Sequence, residues 1–123
     1  MPKIQTLGSK RKRTWFEYEG SVKEGTTLLF SGKPFISPEL YRAALSSFSG
    51  RTIKGGFSMT SPPSGGFGEW VNDSSSKHGR KLTPRHGSFI SAILVSEGYI
   101  RSSLMGNSVF LHFPQYEDVI KDA

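Results

Sequence analysis

Cysteine is absent from this chain of 123 residues, which excludes disulfides and cysteine-based zinc sites and argues against a secreted disulfide scaffold. Long apolar runs are also absent, because none approaches the roughly 20 residues that a membrane-spanning helix needs. The basic N-terminus is not followed by an apolar segment, as it would be in a signal peptide. These absences predict one intracellular domain, cytoplasmic, nucleoid-associated or nuclear, with no membrane partner.

Acidic residues are scarce, with 10 Asp+Glu against 16 Lys+Arg and a formal charge of +6. Residues 1–14 hold five cations and no acid, and residues 77–88 hold four cations, two histidines and no acid. A basic balance concentrated in this way favours an anionic partner, nucleic acid above all.

The charge pattern divides the chain into three parts. Residues 1–13 are predicted to be a flexible basic arm, either a phosphate-contacting or nuclear-localisation-like patch or simply a solvated terminus. Residues 14–116 are predicted to form the folded domain. Residues 117–123 are predicted to be an acidic tail without a function of its own.

Strand-forming residues begin the folded part. Aromatic residues at 15–18 and an apolar run at 26–30 flank the turn-like segment 21–25, so we expect an N-terminal strand pair. Residues 51–53 fit either a short strand or a loop. The Gly/Pro-rich segment 55–68 lacks a recognisable nucleotide-binding motif and is interpreted as a long loop.

Three helices are predicted after the strand pair. Ser37 is a suitable N-cap for a helix over 38–49, since Pro38 and Glu39 follow it. Residues 67–75 fit a short second helix. Thr83 and Pro84 favour the start of a third helix over 84–97, with Gly98 ending it. The segment 99–113 alternates like a hairpin that turns at residues 106–107.

The third helix is expected to present two different faces. One face is apolar and belongs to the core, with the residues Phe89, Ile90, Ile93 and Leu94. The other is small, polar and free of carboxylates, with the residues Arg85, Ser88, Ser91 and Ala92. Such a face can approach the edges of bases closely, so we expect it to lie at the surface.

The succession of strands, helix, loop, helix, turn, helix and hairpin resembles the winged helix–turn–helix class over about residues 35–113. The segment Ile93–Ile100 and the hairpin after it are similar to the usual ending of such domains, where the third helix leads directly into the wing. The resemblance implies an α+β fold of three helices, a C-terminal β-hairpin wing and, here, an N-terminal strand pair. It also implies a recognition helix at 84–97 and a wing at 99–113.

Double-stranded DNA is therefore the expected partner. The predicted base-contacting residues are Arg85, Ser88 and Ser91. The predicted phosphate-contacting residues are Lys77, Arg80, Lys81, His86 and Arg101. A reading domain of a regulator or of a modification-dependent restriction system fits this description, and the partner carrying the catalytic or regulatory function would then be another protein.

Other functions stay open at this stage. An RNA or single-strand binder would use Trp15, Tyr18 or Phe57 to stack on bases. A protein-interaction module would dock a partner on the wing or the Gly/Pro-rich loop. Enzymatic activity, a cofactor and a metal are not expected, because the histidines and carboxylates follow no spacing typical of a hydrolase or a metal site.

Overall fold

Two antiparallel sheets and three α-helices form the part of the chain that the computed structural model describes, namely residues 3–7, 14–30, 32–57, 63–106 and 108–116. The α+β class predicted from the sequence is confirmed. The strands are β1 (Lys3–Gln5), β2 (Trp15–Ser21), β3 (Gly25–Leu28), β4 (Phe35–Ile36), β5 (Thr52–Lys54), β6 (Arg101–Met105) and β7 (Ser108–His112). The helices are α1 (Pro38–Ser47), α2 (Phe67–Ser74) and α3 (His86–Ser96), and α2 continues into a 3₁₀ turn over Ser75–His78.

The N-terminal sheet has the strand order β1-β2-β3-β4, so the predicted strand pair is the middle of a larger sheet. The prediction of a flexible arm over 1–13 is wrong for residues 3–7, because β1 pairs with β2 and the amide of Thr6 donates to the carbonyl of Thr14 at 2.9 Å. Ile4 lies opposite Phe16 and packs against the core, which anchors the strand. Residues 8–13 of that predicted arm, and the predicted tail 117–123, lie outside the described residues.

Helix α1 follows the local signals in the sequence closely. The side chain of Ser37 accepts a hydrogen bond from the amide of Leu40 at 3.1 Å, and Pro38 occupies the first turn. The helix ends at Ser47, two residues before the predicted end at 49. Gly50 then turns the chain with a φ of 70°, a conformation that favours glycine.

The second sheet has the strand order β5-β7-β6, so residues 52–54 form a strand and complete a three-stranded sheet with the predicted hairpin. Its inner face contributes Ile53 and Leu111 to the core, and both are buried. Its outer face carries Thr52 and His112, which are cross-strand partners. The two faces follow the alternation of side chains along a strand.

Helix α3 lies at the centre of the molecule, and seven of its eleven residues are buried. Phe89 packs against Phe16 and Phe30, with ring centroids 4.9 Å and 5.0 Å apart, and the helix also contacts β1 and α2. The prediction that Ser91 and Ala92 lie on an exposed face is wrong, since Ser91 is 0% exposed and Ala92 is 2% exposed. The N-terminal sheet and the other helices cover this helix on more sides than its sequence pattern indicated.

A carboxylate at the end of α3 fastens the helix to the N-terminal sheet. One oxygen of Glu97 accepts from the Tyr18 hydroxyl at 2.7 Å, and the other accepts from the amide of Val22 at 2.9 Å. Burial, followed by the contact with Glu97, raises the pKa of Tyr18 well above its usual range. Gly98 follows with a φ of 83° and ends the helix, as predicted.

Candidate nucleic-acid interface

The predicted phosphate-contacting cations are concentrated in the segment that connects α2 to α3. Lys77, Arg80 and Lys81 are all exposed, and so is Arg85 immediately before α3. Within the described ranges the one ion pair is Arg42–Glu39, so no carboxylate neutralises these four cations there. We refer to Lys77, Arg80, Lys81 and Arg85 as the loop cations.

A buried serine closes the loop that carries three of these cations. The Ser75 hydroxyl accepts from the amide of Leu82 at 2.7 Å and lies 3.4 Å from the Leu82 carbonyl. Ser75 and Leu82 are both 1% exposed. Because the two ends of the loop are joined inside the protein, the residues between them are held at the surface as a protruding segment.

The same loop is also joined to the start of α1. The Ser37 hydroxyl that caps α1 donates to the carbonyl of His78, so one side chain serves both elements. A guanidinium nitrogen of Arg80 lies 3.5 Å from the carbonyl of Gly32. The exposed Lys33 directly follows Gly32 in the chain, and it was not among the predicted phosphate contacts. Gly32 and Lys33 lie between β3 and β4, far in the sequence from the loop cations, so only the tertiary fold can bring the two segments together.

His86 was predicted to contact phosphate from within a helix that begins at 84, but it is itself the first residue of α3. Its Nδ1 accepts from the amide of Thr83 at 3.0 Å and lies 2.9 Å from the Thr83 hydroxyl. Thr83 is therefore not the N-cap, and the helix begins at His86 rather than at 84. Burial and then the positive charge of Arg80 lower the pKa of His86. A neutral imidazole can offer a phosphate one N–H at Nε2 but little charge.

The three predicted base-contacting residues differ in how exposed they are. Arg85 is exposed at the N-terminal end of α3, and Ser88 is half-buried with its hydroxyl donating to the carbonyl of Arg85 at 2.8 Å. Ser91 is fully buried, and its hydroxyl points to the carbonyl of Ser88 at 3.3 Å. Ser91 must be removed from the contact set, because it is 0% exposed and no base could reach it without displacing the residues that pack around α3.

Arg101 is separated from the loop cations. It is exposed at the start of β6, just after the C-terminal end of α3, whereas Arg85 stands at the N-terminal end. A helix of eleven residues is about 16 Å long. The predicted phosphate contacts thus fall into two surfaces, one around the loop cations and one on the three-stranded sheet.

The aromatic residues considered for stacking on single strands are mostly unavailable. Tyr18 is 2% exposed and bound to Glu97, which excludes it as a platform. Phe57 is partly buried beside Gly87. Trp15 is 59% exposed, with the Lys3 ammonium 5.9 Å from the centre of its ring. Of the three, Trp15 alone presents a large free surface.

A groove of about 460 Å³ separates β1 from the C-terminal hairpin, and apolar side chains are exposed nearby. Leu104 and Met105 at the end of β6 are 44% and 70% exposed. The groove is lined by Gln5, Thr6, Leu7, Ser102, Ser103, Leu104 and Val109. Because consecutive residues of a strand point to opposite faces, the tip of the hairpin carries one exposed apolar side chain on each face of the sheet.

Comparisons with family models, with curated proteins and with solved structures give no match for this chain. Over the described ranges, no helix is long and apolar enough to cross a membrane. Among the same residues, histidines and carboxylates do not gather in threes as a metal site would require.

Proposed function

We propose that this chain is a winged-helix module that binds double-stranded DNA mainly through the phosphate backbone. The observation that carries the proposal is the set of loop cations, which are exposed and free of ion pairs within the described residues. Lys77, Arg80 and Lys81 lie in the loop that Ser75 and Leu82 close, so binding of phosphates orders their side chains but costs little backbone freedom.

The order of the elements supports the winged-helix assignment. From α1 onward the chain runs α1, β5, α2, α3, β6 and β7, and its sheet has the order β5-β7-β6. In a winged helix the strand after the first helix likewise joins the C-terminal hairpin. The connection over residues 75–85 is longer than the turn of three or four residues that usual helix–turn–helix motifs contain.

Recognition in this proposal uses the N-terminal end of α3 rather than its length. Arg85 can reach a guanine edge, and the Ser88 hydroxyl, whose hydrogen is donated to the Arg85 carbonyl, can accept from a base amino group. Lys77, Arg80 and Lys81 contact phosphates and set the register of the protein on the duplex. The helix beyond its first turn belongs to the core and contributes rigidity.

A binding titration with a fluorescent duplex at two salt concentrations tests the proposal. We expect affinity to fall steeply with salt, and Lys81→Ala to weaken binding to all sequences while lowering the slope of log K against log salt by about 0.9. Arg85→Ala should additionally change the relative affinity for different sequences.

Lys23→Ala is the matched control. Lys23 is exposed in the turn between β2 and β3, next to Val22, whose amide binds Glu97 at the opposite end of α3. Its loss removes the same charge far from the loop cations and should leave binding nearly unchanged. Equal losses for Lys23→Ala and Lys81→Ala would show a net-charge effect and contradict the proposed interface.

A protein-interaction function is the second candidate, and the exposed Leu104 and Met105 at the hairpin tip favour it. The same titration separates the two, since absence of binding to any nucleic acid at low salt supports the protein partner. Tighter binding to single strands with quenching of Trp15 fluorescence would instead support the single-strand alternative.

A further inference from the structure

The outer face of the three-stranded sheet carries a hydrogen-bonded chain of side chains that the proposed DNA interface does not use. His112, on the central strand β7, has both ring nitrogens engaged. Its Nε2 lies 2.7 Å from the Ser103 hydroxyl on β6, and its Nδ1 lies 3.0 Å from the Thr52 hydroxyl on β5. The imidazole therefore joins all three strands.

Arg101 supplies a positive charge on the same face of the sheet, next to these hydrogen-bonded side chains. Arg101 is the cross-strand partner of His112, and it lies two residues before Ser103 on β6. Directly opposed residues in an antiparallel pair have Cβ atoms about 4.5–5.5 Å apart. The Arg101 guanidinium can thus reach a ligand that sits on the imidazole.

Carboxylates are absent from all three strands. The segments Thr52–Lys54, Arg101–Met105 and Ser108–His112 contain two cations and a histidine but neither Asp nor Glu. The second cation is Lys54 on β5. Its cross-strand partner is Phe110, which lies two residues before His112 on the central strand. An anion on this face meets hydrogen-bond donors and positive charge without a competing negative group from the sheet.

A cleft of about 250 Å³ adjoins the two basic members of this group. Arg101 and His112 both line it, together with Gly98, Tyr99, Ile100, Phe113 and Pro114, whereas Ser103 and Thr52 lie outside it. A phosphate bound at Arg101 and His112 therefore lies at the edge of the cleft, which can hold part of the molecule that carries it.

The hydroxyl groups around His112 can direct protons toward such a ligand. A hydroxyl both donates and accepts, and one that accepts from a ring N–H keeps its own hydrogen free to donate outward. A neutral ring donates to one of the two hydroxyls, and a protonated ring donates to both. Ser103 or Thr52 can therefore supply an O–H to a phosphate oxygen while Arg101 supplies charge-assisted N–H groups.

We propose that Arg101, His112, Ser103 and Thr52 form a phosphate-binding site on the outer face of the three-stranded sheet. The site lies apart from the loop cations and goes beyond the proposed DNA interface, since it depends on a different sheet face and a different set of contacts. Its ligand is a phosphate group, whether free, on a small molecule or at the end of a nucleic acid.

Titration with inorganic phosphate against a chloride control at constant ionic strength, followed by amide NMR shifts, tests the site. We expect saturable shifts at Arg101, Ser103 and His112 with phosphate but not with chloride. Arg101→Ala should weaken phosphate binding by about tenfold or more, because a hydrogen bond to a charged group is lost. Arg101→Lys should give an intermediate affinity, since lysine keeps the charge without the planar fork.

Arg51→Ala is the matched control. Arg51 is an exposed cation one residue before Thr52, and its guanidinium lies over the Phe48 ring, 5.8 Å from its centroid, on the core side of the sheet. Equal weakening by Arg51→Ala and Arg101→Ala would overturn the site in favour of general charge attraction. An unchanged phosphate affinity in the double variant Ser103→Ala/Thr52→Ala would also overturn it, because neither hydroxyl would then have a part in binding.

Two further measurements identify the molecule that carries the phosphate and distinguish this site from the proposed DNA interface. An oligonucleotide with a 5′ phosphate that displaces inorganic phosphate from these residues, where its unphosphorylated form does not, supports a nucleic-acid end as ligand. Displacement by neither oligonucleotide, with retained inorganic phosphate binding, supports a small phosphorylated molecule. Lys81→Ala should leave phosphate affinity at this site unchanged, so failure of the DNA interface and failure of this site give different results.

Discussion

Removing the Glu97 carboxylate should loosen the N-terminal sheet from the rest of the protein. This side chain accepts two hydrogen bonds, from the Tyr18 hydroxyl at 2.7 Å and from the Val22 amide at 2.9 Å. Tyr18 is 2% exposed and Val22 is 4% exposed, so neither donor gains full access to water when the carboxylate is lost. A hydrogen bond to a charged group contributes about 1.5 kcal/mol at the lower end of its range. We therefore expect Glu97→Ala to lower the free energy of unfolding by about 3 kcal/mol.

Glu97→Gln separates the charge from the geometry. The amide oxygen of glutamine can accept from the Val22 amide while its NH2 group donates to the Tyr18 oxygen, so both contacts persist without the charge. Because neutral hydrogen bonds are about half as strong as charge-assisted ones, we expect a loss of about 1.5 kcal/mol. Tyr18→Phe removes one contact and should cost a similar amount, about 1.5 kcal/mol.

Urea unfolding followed by far-ultraviolet circular dichroism measures these differences. With a slope of about 1.5 kcal/mol per molar urea, Glu97→Ala should move the midpoint down by roughly 2 M. Ser96→Ala is the control, since Ser96 is an exposed neighbour on α3, and it should change stability by less than about 0.5 kcal/mol. A loss in Glu97→Ala no larger than that of Ser96→Ala would refute the reasoning.

Three other changes test parts of the fold by the free energy of unfolding. The pKa of His86 is lower in the folded protein, so the unfolded chain takes up a proton first as the pH falls below about 6.5, and the free energy of unfolding should decline there. His86→Gln should flatten this decline. An unchanged pH profile in the variant would contradict the assignment to His86. Burial raises the pKa of Tyr41, so its contribution to the free energy of unfolding is present below pH 10 and should be lost as the pH rises above about 10. Tyr41→Phe should make the loss of stability at alkaline pH smaller. A Cβ on Gly68 would lie 2.0 Å from the carbonyl oxygen of Gly56, so Gly68→Ala should destabilise the protein more than Ala at the exposed Gly65, where the cost is only the strain of a φ of 79°, about 1–2 kcal/mol.

Local signals in the sequence predicted the elements whose formation is itself local. Ser37 and Pro38 determine the start of α1 through a cap and a preset φ, and neither depends on distant contacts. Gly98 ends α3 for the same kind of reason. The hairpin of β6 and β7 also joins neighbouring segments, so alternation and turn residues were sufficient to predict it.

The remaining features depend on pairs of residues that are far apart in the chain. β1 has three residues and is a strand only because β2 provides its partner, so composition suggested an arm. Thr52 and His112 meet because of the register between β5 and β7, which no local pattern specifies. One available signal was misread: the segment from Phe89 to Val95 contains a single polar residue, Ser91, and a helix that is apolar on all sides is typically buried.

The coverage of α3 limits how the proposed module can recognise DNA. Insertion of the middle of this helix into a major groove would require the N-terminal sheet to move away and expose Phe16, Phe30 and Phe89. Exposing the buried Phe16 and Phe89 costs about 1.5–3 kcal/mol each, the partly buried Phe30 costs less, and the contacts of Glu97 would be lost as well. This total is comparable to the whole difference between specific and non-specific binding in many DNA-binding proteins, about 4–10 kcal/mol. The sheet should therefore stay in place when DNA binds, and sequence discrimination should depend on Arg85 and Ser88 at the N-terminal end of α3.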